Sequence, residues 1–184
     1  MMTGGWWRAA GFTLVEVLVT MLIMSILAVG GYPLLMGYAE EAQLEQESRL
    51  IYQDLCLVRD TALTVGEGTA TMRFLPMPGG GPDDRGGYEM INPAGDNVRT
   101  ALMDECAGGF WQRNLASRSV CLVATAAQLE FDWEGRLRGP ADAAVVLEAR
   151  YWYAGQRRQL GDRQYWAIRI EANSASMAIF PVTE

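Results

Sequence analysis

The sequence predicts an α+β protein: a long N-terminal helix, apolar in its first half and amphipathic in its second, followed by an antiparallel β-rich globular head. Three observations carry this. Residues 12–39 form an apolar run whose single charge is Glu16. Residues 44–65 place apolar side chains at alternating four- and three-residue steps, the signature of a half-buried helix. From residue 69 onward, alternating or β-branched runs are separated by Gly, Pro and Asp turns, with no helix-period segment between them.

Composition narrows the function. The chain has 184 residues, half of them apolar, which suits one compact domain with an appendage. All 15 cationic residues are Arg, and they face 22 acidic residues for a net charge of −7, which disfavours a general coat for nucleic acid or acidic lipid. The absence of His removes the commonest general base and metal ligand, and the absence of Lys excludes a Ser/Lys enzyme. Since no nucleophile elbow, phosphate loop or catalytic carboxylate pair stands out, neither an enzyme nor a cofactor is expected. Three Cys without a Cys-x-x-Cys pair make no zinc framework; one disulfide and one spare thiol in an oxidising compartment is the simplest arithmetic.

The first element is the apolar run from Phe12 to Ala39. About 20 helical residues cross a bilayer core, so this run is long enough to do so. Arg8 ahead of it and Glu40, Glu41, Glu45 and Glu47 behind it favour a cytoplasmic N-terminus and an exported head. A signal peptide fits poorly, because the run is too long and no small-x-small cleavage site closes it; composition alone favours an uncleaved signal anchor. Glu16 is the anomaly, since a carboxylate within an apolar helix costs about 2.5–3.5 kcal/mol on insertion scales and needs a partner. Cleavage after Gly11 would expose a charged α-amine on Phe12, able to pair with Glu16 of its own helix or of a neighbouring subunit.

Gly11-Phe12-Thr13-Leu14-Val15-Glu16, with the apolar run behind it, resembles the processing motif of type IV pilins and type II secretion pseudopilins. The resemblance implies that a prepilin peptidase cuts between Gly11 and Phe12 and N-methylates Phe12, and that Glu16 sets the register of assembly. It makes residues 1–11 a prepilin leader peptide, 12–39 the transmembrane and assembly helix, 40–66 the amphipathic helix of the head and 67–184 a β-rich periplasmic head. Its partners would be the peptidase, other major and minor pseudopilins or pilins, an inner-membrane assembly platform and secreted cargo.

Gly30, Gly31 and Pro33 interrupt the apolar helix, and a kink or a locally melted turn is expected there. Past the membrane, Leu44, Ser48, Ile51, Leu55, Val58, Ala62 and Val65 form the stripe to be buried, with Glu45, Glu47, Arg49, Asp54 and Asp60 mostly off it. In helical form, residues 12–65 would make a rod of about 80 Å, ended by Gly66 and Gly68. Strands are expected at 69–75, 119–123, 128–133, 145–153, 163–170 and 176–180, and a surface loop across the turn-rich stretch 76–97.

Residues 50–74 resemble the helix-to-first-strand passage of the GspH/FimT group of minor pseudopilins and minor pilins, and residues 131–139 resemble that group's mid-domain strand and Gly turn. This implies a GspH-like minor pseudopilin of a type II secretion system. The alternative is a FimT-like minor pilin in pilus assembly or DNA uptake. Under that alternative, Arg136, Arg138, Arg157, Arg158 and Arg163, with Tyr151, Trp152, Tyr153, Tyr165 and Trp166 nearby in sequence, would supply phosphate contacts and stacking surfaces; ordinary core and surface roles are the simpler expectation. Cys106 and Cys121 are the candidate disulfide, worth about 3 kcal/mol for a loop of this length, and Cys56 beside the helix stripe is expected to be a small core residue. Asp83 and Asp84 are adjacent acids without a spaced ladder of oxygens, so a solvated loop is expected rather than a calcium site.

Overall fold

The computed structural model describes residues 12–100, 103–105, 111–115, 119–138, 145–153, 156–158, 165–172 and 176–182. It divides into two compact units, one ending at Ala39 and the other running from Glu40 to the C-terminus. Helix α1, Leu14–Val65, supplies the described part of the first unit and the first element of the second. The strands are β1 (Thr69–Pro76), β2 (Asp84–Ile91), β3 (Asp104–Glu105), β4 (Trp111–Asn114), β5 (Val120–Val123), β6 (Gln128–Asp132), β7 (Leu137–Arg138), β8 (Val145–Tyr153), β9 (Gln156–Arg158), β10 (Tyr165–Ile170) and β11 (Met177–Val182). The protein is therefore α+β, with a long apolar N-terminal helix and an antiparallel β-sheet head.

In the head, the strands run in the order β11-β10-β8-β5-β2-β1-β6-β7, every pairing antiparallel; β9 extends the β8 hairpin, and the β3–β4 hairpin joins through β4 to β2. One sheet face covers the helix. Leu44, Ile51, Leu55, Val58 and Ala62 pack against Met72 and Phe74 of β1, Met90 of β2, Leu122 of β5, Phe131 of β6, Leu147 of β8 and Ile168 of β10 in one core. Ser48 sits in the same stripe and satisfies its hydroxyl by donating to the Leu44 carbonyl at 2.6 Å. Val65 departs from expectation: it is half exposed, because the stripe ends at Ala62 and the chain turns away at Gly66.

The stretch 76–97 also departs from expectation. Its central part is β2, which lies between β1 and β5 with Tyr88 and Met90 fully buried. Gly86 and Gly87 make it read as a loop, yet they serve the sheet. The register between β1 and β2 shifts there, with Leu75 opposite Gly87 and Pro76 opposite Arg85, which leaves Gly86 as the extra residue of a bulge. At Gly87 a Cβ atom would fall 2.3 Å from the Arg113 carbonyl oxygen, so a bare Cα lets β4 close onto β2. Replacing Gly87 with Ala is expected to destabilise the head by about 1–3 kcal/mol through this backbone clash, whereas Gly81→Ala in the preceding turn, where the added methyl meets nothing nearer than Asp84 Oδ2 at 3.4 Å, should cost less. Chemical denaturation of both variants in detergent micelles checks the ranking.

Candidate functional site

In the first unit, the side chains described between Phe12 and Ala39 are exposed, apart from a half-buried Gly31. By length and composition the helix can cross a membrane. Two of its hydroxyls bond within the helix: Thr20 donates to the Val17 carbonyl at 2.9 Å and Ser25 to the Met21 carbonyl at 2.7 Å. Glu16 is left as the segment's one charge, in the first helical turn. At the start of the helix the Glu16 N–H donates to Thr13 Oγ1 at 3.2 Å, and the Val17 N–H donates to the Thr13 carbonyl at 3.2 Å. Gly11 and the leader lie outside the described residues. The backbone stays helical through Gly30, Gly31 and Pro33, so no turn is melted there; the Pro33 side chain lies outside the description.

In the head, the sheet separates the candidate arginines. Arg136 follows the β6–β7 turn and Arg138 lies in β7, at one edge, while Arg157 and Arg158 lie in β9 against the far end of β8, with β6, β1, β2 and β5 between. Arg136 pairs with Glu134 at 2.7 Å, and Arg138 stands opposite Glu130. The side chains of Arg157 and Arg158, and all of Arg163, lie outside the described residues. Trp166 and Tyr151 belong to the core, and Tyr165 lies beneath the Arg150 guanidinium, 4.1 Å from its ring centre.

Cys121 is buried in β5, while Cys106 lies outside the described residues; Cys56 is half buried on α1. Asp84 is buried rather than solvated, and its carboxylate accepts the Gly81 N–H at 2.9 Å, closing the turn into β2. Among the described residues no group of three or more His, Cys, Asp or Glu is placed to hold a metal.

The chemically distinctive cluster of the head was not legible in the sequence. Glu47 and Asp54, two turns apart on α1, are both buried. Arg113 of β4, 1% exposed, donates to Glu47 Oε2 at 2.5 Å, and the Tyr88 hydroxyl of β2 donates to Asp54 Oδ2 at 2.6 Å. Three elements are thereby locked together: helix, central strand and inserted hairpin. Burial pushes the Asp54 carboxyl above its ordinary range, against the Tyr88 hydrogen bond and the Arg113 charge, which pull it down. Burial, followed by the nearby Asp54 charge, pushes the Tyr88 hydroxyl well above its usual value. The cluster joins three elements of the head through buried polar contacts.

Residues 8–32 match the prokaryotic N-terminal methylation motif, which carries the signal of type IV pilin-like proteins. The chain is therefore type IV pilin-like: a methylation-motif segment leading into an apolar helix, followed by an antiparallel sheet. Such a protein is membrane-anchored, is processed by a prepilin peptidase and assembles with other pilins. Among solved structures, the chain is similar to the minor pseudopilin EpsH of the type 2 secretion system of Vibrio cholerae, at 13% identity and a TM-score of 0.46, covering 76% of this chain and 97% of that one. No curated protein sequence matches.

Two measurements probe the cluster. Arg113→Met should cost about 3–5 kcal/mol, because it leaves a buried carboxylate without its cation, and adding Glu47→Leu should recover most of that loss; a double-mutant cycle by denaturation in micelles reads both. Asp54→Asn tests the pH dependence. A carboxyl raised in the folded state stabilises the fold in acid, and that contribution fades as pH rises through the raised value. The wild type should therefore lose stability relative to Asp54→Asn as pH rises above the ordinary carboxylate range of about 4, and parallel stability curves would contradict the assignment.

Proposed function

We propose that the chain is a minor pseudopilin of a type II secretion system, inserted in the inner membrane with its N-terminus cytoplasmic and its head periplasmic. It is cut between Gly11 and Phe12, methylated on Phe12, and drawn into a short periplasmic pseudopilus that moves secreted proteins. It is a structural subunit and not an enzyme. The observation that carries this reading is Glu16, a lone carboxylate on an exposed apolar helix, four residues beyond the Phe12 amine that cleavage at the matched motif would create. In an apolar filament core an unmatched charge is costly, so the amine of one subunit and Glu16 of its neighbour fix one stacking register.

The resemblance of residues 50–74 and 131–139 to the GspH/FimT group supports a minor subunit. Secretion takes precedence over a FimT-like pilus or DNA-uptake role because the arginines offered for nucleic acid lie on different parts of the sheet, and Arg136 is paired to a carboxylate. The Cys106–Cys121 bridge belongs to the same reading, as a staple closing the inserted segment in the oxidising periplasm.

Mass spectrometry of the protein from its host membranes should find a chain beginning at Phe12 with one added methyl group. Glu16→Ala should insert at wild-type levels but be recovered in sheared filaments at roughly one-tenth of the wild-type amount or less. A chain that keeps residues 1–11 while functioning, or a Glu16→Ala variant that assembles normally, would overturn the proposal.

A further inference from the structure

Strand β11 ends the sheet. Among the described residues its one neighbour is β10, so the other side of β11 is an open edge. Its six residues, Met177-Ala178-Ile179-Phe180-Pro181-Val182, carry no charge, whereas the opposite edge, β7, is two residues long. A long uncharged edge is a template for a second strand, and proteins blunt such edges with charge, proline or a covering group.

Which backbone groups face outward follows from the register. In an antiparallel ladder, opposed residues alternate between pairs that exchange both hydrogen bonds and pairs that exchange none. The Glu171 N–H donates to the Ser176 carbonyl at 3.0 Å, so Arg169–Ala178, Ala167–Phe180 and Tyr165–Val182 are the bonded pairs along the ladder. The Trp152 N–H, donating to the Ser119 carbonyl at 2.7 Å, fixes the same alternation from β5 through β8. Met177, Ile179 and Pro181 therefore turn their backbone groups to the open side. Pro181 has no N–H to offer there. The Met177 carbonyl accepts the Tyr52 hydroxyl of α1 at 3.3 Å. Partial burial, followed by neighbouring Cys56, raises that hydroxyl above its usual value, so it keeps the proton it donates.

The missing donor and the occupied acceptor meet in one bond. A second copy, adding antiparallel by two-fold symmetry, engages all three outward residues only with Ile179 opposite its own counterpart, which sets Met177 opposite Pro181 of the second copy. The bond lost in that pair runs from residue 181 to the Met177 carbonyl, the acceptor that Tyr52 fills. We propose that Tyr52 and Pro181 together guard the β11 edge: they deny a second copy of this chain the bonds flanking Ile179, so that membrane-anchored heads do not pair strand to strand. The guard is independent of the assembly role proposed above.

The test uses the full chain in detergent micelles, as wild type, Tyr52→Phe, Pro181→Val and the double variant. Self-association is read by sedimentation equilibrium, and hydrogen exchange reads the Ile179 amide together with the amides of β8 and β10. Either change alone restores one partner of the missing bond and leaves the other blocked, so each single variant should associate within about twofold of the wild type. The double variant should associate roughly tenfold more tightly, and its Ile179 amide should become protected as concentration rises. Double-variant association at wild-type strength would overturn the guard. Tighter association with the Ile179 amide unprotected would overturn it as well, since the contact would lie elsewhere. Loss of protection in β8 and β10 would do the same, because Tyr52 and Pro181 would then serve to hold the head together. A gain in Pro181→Val equal to that of the double variant would remove Tyr52 from the guard.

Discussion

A carboxylate carried within an apolar helix must be matched by a cation, and between Phe12 and Ala39 the sequence contains none. That imbalance governs the N-terminal half of the molecule. The apolar side chains around Glu16 are exposed on the isolated chain, so their burial has to come from outside it. The Thr13 hydroxyl accepts the Glu16 N–H at the start of the helix.

The head answers a different problem, that of fixing a helix on a sheet in a single register. An apolar stripe alone permits a helix to slide, because Leu, Ile and Val contacts are nearly interchangeable. The Glu47–Arg113 pair and the Tyr88–Asp54 hydrogen bond are not interchangeable, since moving either partner would strand a buried charge or donor. Two carboxylates face one guanidinium, and burial raises the Asp54 carboxyl accordingly. Stability is conceded there for a defined placement of helix, β2 and β4.

Much of this was legible in the residues. The cost of a charge in hydrocarbon depends little on tertiary context, so Glu16 was informative by itself, and the stripe from Leu44 to Ala62 followed from helical periodicity. Six strands could be read from alternation. The second strand could not, because Gly86 and Gly87 look like turn residues until the bulge and the close approach of Arg113 are seen. Glu47 and Asp54 were hidden for another reason: acids at the edge of an apolar stripe are ordinarily solvated, and the arginine that buries Glu47 lies 66 residues away. Their seven-residue separation, each acid one turn ahead of a core residue, Ile51 or Val58, was the available signal, and it becomes meaningful only once a partner is known. The arginines of the β6–β7 turn and of β9 were grouped by nearness in sequence or kind, which sheet order does not respect.

The hairpin of β3 and β4 leaves the sheet after β2 and returns to the same side of β2, which receives β4 at Gly87 and Tyr88 and β5 at Asp84 and Arg85. It is a detour and not a link in the strand order. The return strand is held on β2 by its own pairing and by Arg113, and β5 by a separate ladder, so the two strands are anchored to β2 independently. The order of β5, β8 and β10 is therefore set by their own pairings and not by the hairpin that precedes them in the chain.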